Sequence, residues 1–207
     1  MARFLDDGAK AALTAAARSV EERSSAEVVI AVRGRSSTYR QVDVAVGALA
    51  AYAALGFILF SPWPFDVWWI FIDPLLAGVG GALLAAPFPA VRRALTAPAT
   101  RRRAVETAAC AAFLEKRVGE TRDRTGLLVY VSLLERGASV VADRGIRDAV
   151  DAKAWAQGVA AIDAAVARCE KGEAVAARIA ALGEVLARAL PRRAGDVNEL
   201  SDEVSEA

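Results

Sequence analysis

Asp73 stands in a stretch from Phe65 to Ala90 that contains no Lys or Arg, close to a run from Val44 to Phe60 that carries no charge at all. A carboxylate inside a bilayer is expensive and is kept where it lines a polar path or meets a partner. Two settings are open. A helix from about Val67 to Ala86, stopped by Pro87 and Pro89, places Asp73 about 9 Å from its outer end. Alternatively, Asp73 caps a helix that begins at Pro74, and the carboxylate lies at headgroup level. The capping setting is preferred. Neither span offers a second ionisable residue to pair with Asp73 or relay a proton, so no transport path is expected within one chain.

Composition removes other chemistry. The 207 residues include no His, which excludes Ser-His-Asp and Cys-His nucleophiles, His-ligated zinc and His-based proton transfer. Cys110 and Cys169 are far apart, lack Cys-x-x-Cys spacing and are expected to be small core residues. No glycine loop of a nucleotide-binding pattern occurs. The 26 Lys and Arg nearly balance the 25 Asp and Glu, so no nucleic-acid partner is expected.

The two apolar stretches read as spanning helices. A bilayer core of about 30 Å takes roughly 20 helical residues, and Val44 to Phe60 covers about 25 Å before the interfacial Ser61, Pro62 and Trp63. Arg33, Arg35 and Arg40 precede the first span, and Arg92, Arg93, Arg101, Arg102 and Arg103 follow the second. The connector from Ser61 to Pro64 has no basic residue, and Trp63, Trp68 and Trp69 gather there. Both termini are therefore expected in the cytoplasm, with the bilayer as a partner. The charged N-terminus predicts no cleavable signal. Gly78-Val79-Gly80-Gly81 is expected to let the hairpin pack against itself.

The rest reads as one domain in two pieces. Residues 1–42 supply a helix, with Asp6 or Asp7 as cap, and a strand at Glu27 to Arg33. Residues 43–91 form the hairpin. Residues 92–192 supply a helix from Pro98, strands at Gly126 to Leu134 and Ala138 to Asp143 joined by a turn at Glu135-Arg136-Gly137, and further helices to about Ala189. Residues 193–207 form an acidic tail. The expected class is α+β: a small mixed sheet with packed helices, interrupted by a two-helix transmembrane hairpin.

Thr121-Arg122-Asp123-Arg124-Thr125-Gly126-Leu127-Leu128-Val129-Tyr130-Val131-Ser132-Leu133-Leu134-Glu135-Arg136, then Ala142-Asp143-Arg144-Gly145-Ile146 and Trp155, resemble the TPM domain family. Phe4-Leu5-Asp6-Asp7-Gly8 and Ala26-Glu27-Val28-Val29-Ile30 resemble its first half. The chain is most similar to bacterial membrane proteins with a helical hairpin inserted after the first strand, which implies a bacterial inner (cytoplasmic) membrane. The resemblance implies two competing functions. One is binding or regulating another membrane or envelope component. The other is a metal-dependent acid phosphatase, for which Asp6, Asp7 and Asp143 are the candidate ligands of calcium or magnesium. Each of these carboxylates also has a structural account, as helix cap or turn residue.

Four residues are candidates for partner contact. Glu135 and Arg136 lie at a hairpin tip, where a solvated turn is the plain alternative. Asn198 and Glu199 lie in the tail, in a segment resembling a recurring tail motif of these relatives. That tail is either a disordered end or a segment that docks on its own domain or on a partner; besides the bilayer, another membrane protein or a second copy is the expected partner of the chain.

Overall fold

Asp6 holds an extended backbone and its Oδ1 accepts from the Ala9 N–H at 2.7 Å, starting helix α1, Asp7–Glu21. The computed structural model that shows this describes residues 4–193, 199–200 and 204–206. The chain divides into two compact units: Met1–Ser37 with Arg102–Ala207, and Thr38–Arg101.

In the first unit α1 leads into β1, Glu27–Arg33, whose β-branched run is buried on both faces. Later in the chain come α5, Pro98–Glu115, a 3₁₀ turn at Val118–Glu120, and the strands β2, Gly126–Ser132, and β3, Gly137–Ala142. Helices α6, Arg144–Ala149, α7, Ala152–Ala167, and α8, Gly172–Ala189, follow, and β4, Ser205–Glu206, ends the described chain. The sheet order is β3-β2-β1-β4. β1 runs parallel to β2, with Glu27 opposite Gly126 and Arg33 opposite Ser132, and β2 runs antiparallel to β3. The fold is thus α+β, mostly helical, with three full strands and a two-residue fourth among the described residues.

Alternation along β1 sorts its side chains onto two layers. Val28, Ile30 and Val32 join Leu13, Val20, Ile162, Ile179 and Leu182 in the larger core, beneath α1, α7 and α8. Val29 and Ala31 join Leu128, Tyr130, Val105 and Ala109 in the smaller one, beneath α5. Full burial of a Leu or Ile contributes roughly 1.5–3 kcal/mol relative to exposure, so the larger layer carries most of the unit's stability.

The second unit is the hairpin: α2, Arg40–Phe60, α3, Val67–Ala85, and a short α4, Pro89–Leu95. Gly78 and Gly81, from the run expected to pack the hairpin against itself, make the α2–α3 seam together with Gly47, which the sequence did not single out, while Gly80 faces open space. A Cβ on Gly47 would stand 2.6 Å from the Gly78 carbonyl oxygen, and one on Gly81 would stand 2.7 Å from the Ala50 Cβ. The absence of side chains here lets the two backbones close up.

Candidate functional site

The Thr121–Gly126 and Asp143–Gly145 segments meet at one end of the sheet. Thr121 is buried, and its Oγ1 accepts from the Thr125 N–H at 3.0 Å. Arg124 has a left-handed backbone, φ 57, and donates from Nη1 to the Gly119 carbonyl at 3.0 Å. Its own carbonyl accepts from the Gly145 N–H at 2.9 Å. The glycines at 126 and 145 are required by contact, since an added Cβ would stand 1.8 Å from the Val118 carbonyl oxygen and 2.6 Å from that of Asp123.

Asp143 sits in this loop cluster as the N-cap of α6, with Oδ1 accepting from the Arg144 N–H at 2.7 Å. Its Oδ2 is buried without a hydrogen bond, and the Arg124 guanidinium lies 3.8 Å away. Asp6 caps α1, and Asp7 is the exposed first residue of that helix. Among the described residues no group of three or more His, Cys, Asp or Glu is placed to hold a metal ion. The three carboxylates proposed as ligands of calcium or magnesium therefore do not converge, and Asp6 and Asp143 act as caps.

At the opposite end, where β1 and β2 finish, lies a buried polar network that sequence reasoning missed. Ser36 Oγ donates to Ser132 Oγ at 2.8 Å and shares a hydrogen bond with the Tyr130 hydroxyl at 3.1 Å. Glu135 Oε1 accepts from the Ser36 N–H at 3.0 Å, and its Oε2 accepts from Ser132 Oγ. Glu135 is only 5% exposed, so it does not offer itself to a partner at a solvated tip. It anchors the chain leaving β1. Arg136, by contrast, is exposed, with φ 51, as a tip residue should be. Burial pushes the Tyr130 hydroxyl above its ordinary pKa. The Ser36 hydrogen bond and the charge of Arg33 oppose that shift, and the charge of Glu135 adds to it. The available signal was a pair of hydroxyl-bearing residues, Tyr130 and Ser132, at the end of an otherwise apolar strand.

The described residues of the tail dock on their own domain. Glu199 and Leu200 donate their N–H groups to Glu27 Oε2 at 3.2 and 3.3 Å, and Glu199 Oε2 accepts from the Arg122 N–H at 2.9 Å. Leu200 packs on the smaller core and Val204, 5% exposed, joins the larger one. Ser205 and Glu206 then pair parallel with Ala31 and Val32. Asn198 lies outside the described residues.

In the second unit, Asp66 is the N-cap of α3, accepting from the Trp68 N–H at 3.2 Å. This overturns the preferred setting for Asp73, which lies with Pro74 inside the helix. It is half-buried, with no hydrogen bond or ion pair among the described residues. Large apolar side chains point outward along both helices, Leu49 at 72%, Phe60 at 89% and Trp68 at 74% exposure among them. α2 and α3 are long and apolar enough to cross a membrane. Arg92 on α4 makes a bidentate pair with Asp43 on α2, at 3.0 and 2.7 Å, tying the chain back beside the first turn of α2. The cysteines correct another expectation. Cys110 and Cys169 are both exposed, because Cys110 lies off the buried Val105-Ala109-Ala112 face of α5 and Cys169 turns the chain after α7 with φ 56.

No protein-family model matches the chain, and no curated protein matches it. The fold is shared with a solved structure, the NMR structure of the BA42 protein from the psychrophilic bacterium Bizionia argentinensis. The TM-score is 0.60 at 16% identity, over 100% of this chain and 98% of that one.

Proposed function

We propose that this chain is a two-pass protein of the bacterial inner membrane whose TPM-like domain, built from sequence on both sides of the hairpin, binds and regulates another membrane or envelope component. The outward-facing apolar side chains of α2 and α3 carry the membrane part of this reading, because a monomeric soluble protein rarely leaves so large an apolar face in water. The basic residues flanking the hairpin and the uncharged connector favour cytoplasmic termini. The TPM-like assignment is supported by the meeting of the Thr121–Gly126 and Asp143–Gly145 segments in one loop cluster.

Thiol labelling in vesicles tests the topology. Cys110 and Cys169 are exposed in the domain, so a membrane-impermeant maleimide should label them in inside-out vesicles and not in right-side-out ones. A Ser61→Cys variant lacking both native cysteines should show the reverse. Labelling of the native thiols from the outer side refutes the orientation.

A second reading, a metal-dependent phosphatase at the cytoplasmic membrane face, has one observation in its favour: the buried, unbonded Oδ2 of Asp143. Among the described residues no group of three or more His, Cys, Asp or Glu is placed to hold a metal ion there, and the binding role is the reading we favour.

A further inference from the structure

Among the described residues only the two-residue β4 pairs with β1 on the side away from β2, so along most of its length β1 lacks an edge's usual protection. Glu27 to Val32 are all buried, and from Val28 to Val32 the strand offers no charge, no Pro and no Gly on the side away from β2. An apolar edge of this kind pairs with whatever strand reaches it, and native proteins keep it covered. What covers it here has an unusual composition. The described residues over it, Glu199, Leu200 and Val204 to Glu206, belong to a stretch, residues 196–206, that reads DVNELSDEVSE, acidic at five positions with no basic residue and too polar to supply a core of its own.

The contacts define what the edge recognises. Glu27 Oε2 takes the successive N–H groups of Glu199 and Leu200, and the Arg122 N–H takes the Glu199 carboxylate. Leu200 and Val204 enter different cores, one on each face of the sheet. Ser205 and Glu206 add backbone pairing opposite Ala31 and Val32. Backbone pairing tolerates many sequences, so selectivity falls to the acid, the Leu and the Val placed four residues after it.

We propose that the outer edge of β1 is a strand-acceptor site for an acidic, extended segment of a partner polypeptide carrying Glu-Leu followed four residues later by Val, and that the chain's own tail is its built-in occupant. This deepens the binding function proposed above and rests on it. The tail competes in cis at an effective concentration of roughly millimolar, which a partner held at the same membrane surface can match.

The test uses the full chain in detergent with Leu200→Asp and Val204→Asp, which undocks the tail, and a fluorescein-labelled peptide of residues 195–207 as probe. Anisotropy should report saturable binding at least about tenfold tighter than to the unaltered chain, whose own tail competes. Binding should fall at least about tenfold when the peptide carries the same two substitutions, and the bound peptide should raise the melting temperature. A second acceptor guards against misfolding: a chain with a protease site inserted after Arg193, folded with its tail and then cut. Absence of saturable binding to both acceptors at millimolar peptide, with native near-UV circular dichroism retained, overturns the proposal. So does binding indifferent to the Leu and Val substitutions. Tail-dependent dimers of the unaltered chain would make a second copy the donor and overturn the assignment to a separate partner. None of these outcomes depends on topology, and the vesicle labelling does not involve the tail.

Discussion

Replacing Glu135 by Ala should be among the more damaging single changes in the domain, although the residue occupies a hairpin turn. Its two oxygens accept from the Ser36 N–H and the Ser132 hydroxyl, in surroundings that leave Glu135 5% exposed. A hydrogen bond to a charged group contributes about 1.5–3 kcal/mol, and a buried donor stripped of its partner costs about as much. The two bonds together set an expected loss of about 3–5 kcal/mol. At about 2–4 °C per kcal/mol for a domain of this size, the melting temperature should fall by roughly 10 °C.

The assay is thermal unfolding of the full chain in detergent, followed by near-UV circular dichroism, for Glu135→Ala, Glu135→Gln and Arg136→Ala. Gln keeps one acceptor oxygen and should lose about half as much. Arg136→Ala should change stability by less than about 0.5 kcal/mol, because its side chain is exposed. A Glu135→Ala protein melting within about 2 °C of the parent, or an Arg136→Ala protein losing as much as it, would refute the buried-anchor reasoning and return both residues to the role of solvated tip.

Gly126→Ala should destabilise the domain by more than about 3 kcal/mol or prevent folding, since the new Cβ would stand 1.8 Å from the Val118 carbonyl oxygen; recovery of a normal melt by chemical denaturation would contradict the close approach. The raised Tyr130 pKa means that the folded state holds this proton more tightly than the unfolded chain, so the associated stability is present below the ordinary tyrosine range and lost as pH rises through the raised value. The parent should therefore lose melting temperature above about pH 10 more steeply than Tyr130→Phe does, and parallel profiles would remove Tyr130 as the cause. Asp143→Ala should cost about 1 kcal/mol as a lost cap and Asp143→Asn less; millimolar calcium should leave the parent's melting temperature unchanged, and a rise that vanishes in Asp143→Asn would place a metal at this carboxylate.

What the sequence made legible were the elements whose reasons are local. Asp6 before an apolar 3.6-residue period announced α1, and the β-branched run at 27–33 announced β1. The missed features depend on partners distant in sequence. Ser36 and Glu135 are 99 positions apart, so nothing near Glu135 showed that its turn folds inward. β4 has no strand composition of its own, and Ser205 and Glu206 are extended because the open edge of β1 lies beside them. Asp73 was misplaced for a different reason. Asp66 and Asp73 are both able to cap a helix, and Pro74 directly after Asp73 matches the usual pattern of a helix start. The chain caps at Asp66 and accepts a proline inside α3, a cost that small rearrangements offset within a membrane more readily than in water.

The position of the hairpin follows from the sheet. Parallel neighbours cannot be joined by a tight turn and need a crossover of a dozen residues or more. β1 and β2 are such neighbours, in register from Glu27 and Gly126 to Arg33 and Ser132, and α5 packs on one face of them as a crossover helix does. The apolar helices are inserted into that crossover, the one connection already obliged to be long. Loop-closure entropy grows only slowly with loop length, about 0.6 kcal/mol per doubling, so the insertion is tolerated at little cost in stability. The same reasoning predicts that residues 38–101 can be replaced by a flexible Gly/Ser linker and leave a water-soluble protein. That protein should keep the β1–β2 pairing, measured as slow amide exchange at Val29 to Val32 and Leu128 to Val131. Rapid exchange across both strands in a monodisperse preparation would mean that the hairpin supplies part of the fold, and the view of it as an insertion would fail.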